Sequence, residues 1–499
     1  LHCFGQIEIE GEATMIGATD ATIFRRPISP GEWFFLANPP SAFAIIQVAV
    51  EGAGAIQLAD LCAAVALASA ACPGMRLVRE GRFWADSGRP AEVRLVNAPS
   101  VDQQSIMDLA ELNEPLSLAD GRTCEVLLIP GSPEIPGSPE IPGSPEIPGR
   151  PQTIVFRGLH IMMDGRGVEL FALDVFRALR GEDLHGAPDP TSDLDLFDPA
   201  ADSESLRQTL QGMVHPSLLG SPRQITTSRT RWRRRTIDGF HPGLVAKTAT
   251  AITQFSGSQT GRFFVPVDLR RHLPDVRSTA NLTQPVPLDV QVGQSWEDVH
   301  EQLLKLLADG RDIAGGLDPH MLKMPIPVLR TMNKAIGSLT CGRDRYVASA
   351  VLSHMRRVEL AEFCTPSFEA ITVYSLSMPP PMSPPGLMIV ECGGRTELTM
   401  AWHDVPNFVE QADAVLDCVE EMLSPKANRG RVGDERMVAD GVSVVAGVDG
   451  MAGVTVVQRF AEQVARTPDA VAISGPDGEV TYAELELRSR VVAAELRSR

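Results

Sequence analysis

Residues 153–159, TIVFRGL, are a strand-length run of β-branched, aromatic and aliphatic residues, and within six residues the chain passes into a segment of helical periodicity. From Gly165 to Arg180 the apolar residues Val168, Phe171, Ala172, Val175, Phe176 and Leu179 fall on one wide face. A strand must therefore deliver its end almost directly into a buried helix. The connection carries His160, Asp164 and Gly165 in the string GLHIMMDGRG.

Upstream, CEVLLIP (124–130) reads as a second strand, and the two are expected to form a hairpin. Between them lie three tandem copies of GSPEIP, residues 131–148. Proline at every third position removes backbone donors and leaves no apolar alternation, which implies an extended, polyproline-like or irregular hairpin tip. Three copies are too few to stack as a β-helix.

The remaining pattern alternates helices and strands. Residues 56–72 place Leu58, Leu61, Val65 and Cys72 on one helical face, ended by Pro73-Gly74. Ser295 with Asp298 resembles a capping box that opens a helix through Leu303, Leu304 and Leu307. Leu387–Cys392, Gly393-Gly394 and Leu398–Trp402 read as a hairpin, followed by a helix from Phe408 to Leu423. Strands and helices mix before about residue 225 and again after it, so the 499-residue chain is expected to build two α/β lobes. Residues 425–450, rich in Gly, Arg, Asp and Val, read as a linker, and a new folded unit is expected from Val454.

Hydrophobic residues at 43% and charged residues at 22% are the balance of a globular chain. A net charge of −18 excludes a general nucleic-acid binder, which needs clustered Lys and Arg. The local exception is Arg229, Arg231, Arg233, Arg234 and Arg235 around Trp232. That run fits the solvent face of an exposed strand, or alternatively a contact to a phosphate. Eight cysteines without a CxxC pair suggest neither a zinc site nor a disulfide framework, and point to the reducing cytoplasm. The N-terminal LHCFGQIEIEGEATM lacks a signal-peptide pattern, and no stretch reaches the ~18 apolar residues of a membrane span. Position 1 is not Met, from which a chain clipped from something longer is expected.

His160 is the residue suited to acid–base chemistry, since imidazole titrates near neutrality and can accept a proton from an attacking amine or hydroxyl. Asp164 need not be its partner. A carboxylate at this turn can instead anchor the loop through an Arg and so fix the ring, with Gly165 allowing close backbone packing. A histidine with a purely structural role is the competing reading.

These motifs resemble the condensation domains of non-ribosomal peptide synthetases, members of the HxxxD acyltransferases, over about Arg26 to Leu423. His160, Asp164 and Gly165 match the family's HHxxxDG pattern, with Leu159 in place of the first His. SPGEWFFLA echoes the N-terminal signature, and ACPGMRLV stands where an RHExLR-like string is usual. Asn281-Leu282-Thr283 begins like the family's NTxxxR stretch but no Arg follows nearby, so Arg270 or Arg271 in VPVDLRRHLP is expected to pair with Asp164. Further on, VVQRFAEQVARTPDAVAI and then Thr481, Tyr482, Ala483, Glu484 and Leu485 resemble the TYxEL opening of an adenylation domain.

The resemblance implies an α/β (α+β) fold of two chloramphenicol-acetyltransferase-like lobes in a V-shaped pseudo-dimer, with catalytic His160 at their junction. Its implied divisions are an N-terminal segment 1–25, an N-lobe 26–225, a C-lobe 226–424, a linker 425–453 and an adenylation start 454–499. The implied reaction joins a carrier-bound acyl or peptidyl thioester to a carrier-bound aminoacyl acceptor as an amide. Ester formation on the same fold, or a non-catalytic carrier-docking role, are the alternatives. An epimerase fits poorly before an adenylation start, and a cyclising variant would carry Asp in place of His160. No cofactor or metal is expected on the chain itself. The substrates ride on phosphopantetheine of donor and acceptor peptidyl carrier domains, and those carriers and the remainder of the adenylation domain are the expected partners, with no nucleic acid or membrane.

The repeat tip lacks any core pattern, so replacing residues 131–148 by a Gly-Asn turn should leave the melting temperature and turnover nearly unchanged, as read by thermal melts and product assays; a collapse of either would show that the segment packs on the body.

Overall fold

Strand β4 and helix α3 of the expected junction span Gln152–Leu159 and Gly165–Leu179. The computed structural model describes residues 24–40, 43–96, 106–131, 150–196, 229–313, 322–342, 345–380, 383–405 and 408–424, with parts of 215–225 and 464–484. Most of the GSPEIP repeat, the expected linker 425–453, the N-terminal segment 1–23 and Leu485 lie outside the described residues. Two units separate, Leu1–Ala427 and Asn428–Arg499.

In the first unit the strands of the two large sheets are β1 (Ile45–Gly54), β2 (Glu92–Leu95), β3 (Cys124–Ile129), β4, β5 (Thr230–Asp238), β6 (Thr260–Asp268), β7 (Thr283–Gln291), β8 (Ala350–Val358), β9 (Phe368–Ser375), β10 (Gly386–Cys392) and β11 (Arg395–His403). They form a five-stranded sheet in the order β9-β1-β4-β3-β2 and a six-stranded sheet in the order β7-β6-β8-β10-β11-β5. The principal helices are α1 (Pro30–Leu36), α2 (Leu58–Ala71), α3, α4 (Leu244–Ser256), α5 (Trp296–Ala308), α6 (Ile326–Gly342) and α7 (Phe408–Leu423).

The first sheet is buried against α2 and α3. Phe156 of β4 meets Phe171 and Phe176 of α3, and Phe176 in turn packs on Phe363 and Phe368. The expected face of α3 is the observed one, with Val168, Phe171, Ala172, Val175 and Phe176 fully buried. On α2, Leu61 and Val65 are buried as expected but Leu58 is 38% exposed, because the buried stripe runs through Ala64, Ala68 and Ser69 instead. Likewise Leu304 of α5 is 52% exposed, while Val299 and Leu303 face the core.

Residue 225 does not divide the two sheets. Strand β9 comes from the second half of the chain yet pairs antiparallel with β1, from Phe368 opposite Gly54 to Ser375 opposite Val48. Sequence order could not show this, since a lone strand can complete either sheet. The 124–130 and 153–159 strands form the expected antiparallel hairpin. So do β10 and β11, where Gly393 and Gly394 both take positive φ (54° and 76°), the conformation a two-residue primed turn requires.

Arg231, Arg233, Arg234 and Arg235 of the arginine run lie on β5, an edge strand, and their charges meet carboxylates. Arg231 reaches Asp404, Arg233 reaches Asp413, Arg235 reaches Asp417, and Arg234 bonds Glu51 of the first sheet at 3.1 Å. The solvent-face reading is therefore closer than the phosphate reading, with Trp232 turned inward and donating to the Ser377 carbonyl.

The second unit contains an antiparallel pair, Val471–Gly475 and Gly478–Thr481. Thr481 and Glu484 then cap each other reciprocally, Glu484 N to Thr481 Oγ1 at 3.3 Å and Thr481 N to Glu484 Oε2 at 3.0 Å. Among the described residues no helix is long and apolar enough to cross a membrane.

Candidate active site

Asp164 is the N-cap of α3, where a carboxylate accepts from the otherwise unpaired first-turn amides; Gly167 N donates to its Oδ1 at 2.8 Å. The rest of its bonding capacity is taken by the second half of the chain. Arg270, in the turn after β6, donates from Nη1 to Oδ2 (2.9 Å) and from Nη2 to Oδ1 (3.1 Å). Leu282 N and Thr283 Oγ1, at the start of β7, both reach Oδ2. Burial alone would raise this carboxyl's pKa, but the Arg270 charge and the converging hydrogen bonds hold it below the usual range. Arg270 is fixed in turn by Asp268 and by the carbonyls of Ser278 and Ala280.

His160 follows the last residue of β4, with its amide donating to the Ala44 carbonyl. Its Nδ1–H donates to the Met163 carbonyl at 3.1 Å, which leaves Nε2 with a free lone pair. Phe35 stacks on the ring, centroids 5.8 Å apart. Asn281 Nδ2 donates to the His160 carbonyl, and Arg26 Nη2 donates to that of Met162. Burial lowers the imidazole pKa, against the opposing pull of Asp164, and so favours the neutral ring.

The ring opens on a cavity of ≈ 1850 Å³ bounded by both sheets. One wall is α1 and its flanks. Ser29 caps α1 in a reciprocal box with Glu32, whose carboxylate is held by Arg26 and by Trp84 Nε1. Asp193 lies beside this group, and its carboxyl is pushed up to about 7 by burial and by the Glu32 charge. The opposite wall is the second sheet. Within it, β8 has an irregular register between His354 and Arg357, where Arg356 takes φ 61° and its side chain pairs with Glu169 of α3 at 3.0 Å.

Of the residues singled out in the sequence, His160, Asp164 and Arg270 are brought together. Arg271 is not part of the site: it points to Asp312 (3.0 Å) and the Leu307 carbonyl, because consecutive residues of a turn diverge. Gly165 lines the cavity, but a Cβ there would meet only the Met355 side chain at 3.3 Å. The close approach is at Gly167, where a Cβ would stand 2.3 Å from the Thr279 carbonyl oxygen. Asn281-Leu282-Thr283 serves Asp164 after all, through a backbone amide and a hydroxyl rather than a following Arg. Phe35 and Asp193 carried no sequence signal beyond the SPGEWFFLA string and an acidic loop.

No protein-family model matches the sequence, and no curated protein does. Solved structures do match. The first condensation domain of the calcium-dependent antibiotic synthetase, in complex with a substrate analogue, superposes with TM-score 0.55 at 14% identity over 80% of this chain and 96% of that one. The condensation domain of the Monacolin K polyketide synthase MokA gives 0.52 at 12% identity over 80% and 96%. A starter condensation domain of rhizomide synthetase RzmA, solved as a mutant with C8-CoA and Leu-SNAC, gives 0.50 at 15% identity over 80% and 94%. The chain has the condensation-domain fold. In that fold the two α/β lobes meet at the Asp164–Arg270 pair, and His160 and Asp164 line one cavity.

Asp164→Ala should cost about 3–5 kcal/mol in chemical denaturation because it takes from the buried Arg270 cation its buried carboxylate and leaves it only the half-exposed Asp268, whereas Asp164→Leu combined with Arg270→Met should lose much less than the two single changes summed. Additive losses would show that the two residues act separately.

Asp193 gives a pH dependence of known sign. Its folded pKa lies above the unfolded value, so its contribution to stability is present at low pH and is lost as pH rises from about 4 through about 7. Thermal melts should therefore show Asp193→Asn gaining on the parent between pH 5 and pH 8; parallel curves would contradict the assignment.

Proposed function

We propose that this chain is an acyltransferase that condenses a carrier-bound acyl or peptidyl thioester with a carrier-bound aminoacyl acceptor to form an amide. The observation that carries the reading is the state of His160: Nδ1–H is committed to Met163, burial favours the neutral ring, and the residue lines a cavity of ≈ 1850 Å³. The acceptor nitrogen attacks the thioester carbonyl carbon and gives a proton to Nε2. Collapse of the tetrahedral adduct breaks the carbon–sulfur bond, and the proton returns to the departing thiolate. The products are an amide and a free carrier thiol. Holding the two arms together in one cavity supplies much of the rate, and the positioned base adds to it.

The chain itself binds no cofactor in this scheme, since pantetheine arms arrive on donor and acceptor carrier domains. A neighbour solved with C8-CoA and Leu-SNAC supports a thioester donor and an aminoacyl acceptor. Residues 454–499 are read as the start of an adenylation domain, supported by the capped TYAE turn. Cytoplasmic localisation belongs to the same reading.

His160→Ala should leave the thermal melt unchanged and lower amide formation, followed by mass spectrometry, by about 100-fold or more. Full activity in the variant would end the general-base role, and a parent that binds carriers without forming product would favour a docking platform.

A further inference from the structure

The second sheet is packed by helices on one face alone among the described residues. Phe263 and Val265 of β6, Leu352 of β8, and Leu387 and Ile389 of β10 turn toward the core under α4 and α7. Their alternate neighbours, by the two-residue period of a strand, turn toward the cavity that holds His160. Cross-strand register aligns five of these neighbours in a single row: Pro287 opposite Phe264, Phe264 beside Val351, Val351 beside Gly386, and Gly386 opposite Ala401. Four inter-strand spacings make the row about 19 Å long.

None of the five side chains carries a hydrogen-bonding group. The backbone beneath them offers little more, because β6, β8, β10 and β11 are interior strands with neighbours on both sides. At the edge, Pro285 and Pro287 have no N–H to give. Two residues along β6 and β7 from Phe264 and Pro287 stands the pair Arg262 with Asp289, ion-paired at 2.6 Å, so the apolar row is flanked there by charge.

The geometry points to a linear aliphatic acyl chain as the donor group, laid on this floor with its thioester near His160. The inference rests on the acyl-transfer reading and narrows its substrate class. A peptidyl donor lying there would lose water from each amide without gaining a partner, at a penalty no contact on the row offsets. An alkyl chain has no such groups and gains by leaving water. Gly386 is the fourth of the five, next to Ala401, and a Cβ there would come 2.7 Å from the flexible Met388 Cε, so a larger side chain at 386 would rise into the space the alkyl chain needs.

The test is calorimetric binding of saturated S-acyl-N-acetylcysteamine thioesters from C2 to C14 to the full chain, its Gly386→Leu variant and its Phe264→Ala variant. In the parent, affinity should climb by roughly fourfold per added methylene and then level off. Gly386→Leu should level off at a shorter chain, and Phe264→Ala, which deepens the floor, at a longer one; the second variant keeps the test decisive if the first fails to fold. Affinity that ignores chain length in the parent, or a length profile unmoved in the folded variants, would overturn the inference. The two readings fail separately. Chain-length-dependent binding without amide formation from any donor would retain the floor and reject the condensation reaction, whereas amide formation from peptidyl donors with flat acyl binding would do the reverse.

Discussion

The ion pair of Asp164 with Arg270 is the interaction on which the site depends. Asp164 closes the first turn of α3 in one lobe, while Arg270 sits in the turn after β6 in the other, and both are nearly removed from solvent. Such a pair is expensive to form and more expensive to break, which makes it a poor source of net stability and a good means of fixing register. Its neighbours remove the remaining freedom. The carbonyls of His160, Met162 and Met163 are each taken, by Asn281, Arg26 and the His160 ring. The loop is thus fixed from both lobes, and the direction of the imidazole follows.

A second polar cluster joins the sheets away from the histidine. Glu51 of β1 accepts from Arg234 of β5 and from the Tyr374 hydroxyl at 2.6 Å. Glu397 of β11 accepts from Thr372 and Thr236. Together with the crossing of β9 into the first sheet, these contacts hold the lobes at two places, and the cavity lies between sheet faces that neither α4 nor α7 covers. The volume is therefore a product of topology, since the alternation of the second sheet turns a row of apolar side chains to a face that no helix packs on among the described residues.

Much of this was legible in the sequence where a local rule was strong. The run TIVFRGL followed by the Val168–Phe176 periodicity fixes the junction, and Gly393-Gly394 fixes a hairpin, because each depends on residues near in the chain. The ring-bearing position and the anchoring role of Asp164 were readable for the same reason. What was not readable depends on distant pairing. Arg270 and Arg271 are chemically identical, and only the course of the turn assigns one to Asp164 and the other to Asp312. Strand β9 could have completed either sheet. Gly167 looked no different from Gly165 until Thr279 of the other half was brought against it.

The tautomer of His160 tests the central claim most directly, because the whole arrangement serves to present a neutral ring with Nε2 unprotonated. Nitrogen-15 NMR of histidine-labelled protein, assigned by comparison with His160→Ala, would read it in solution. The account predicts a neutral imidazole at pH 7 with its proton on Nδ1 and a pKa below that of free histidine. A proton resident on Nε2, or an imidazolium persisting at neutral pH, would contradict it.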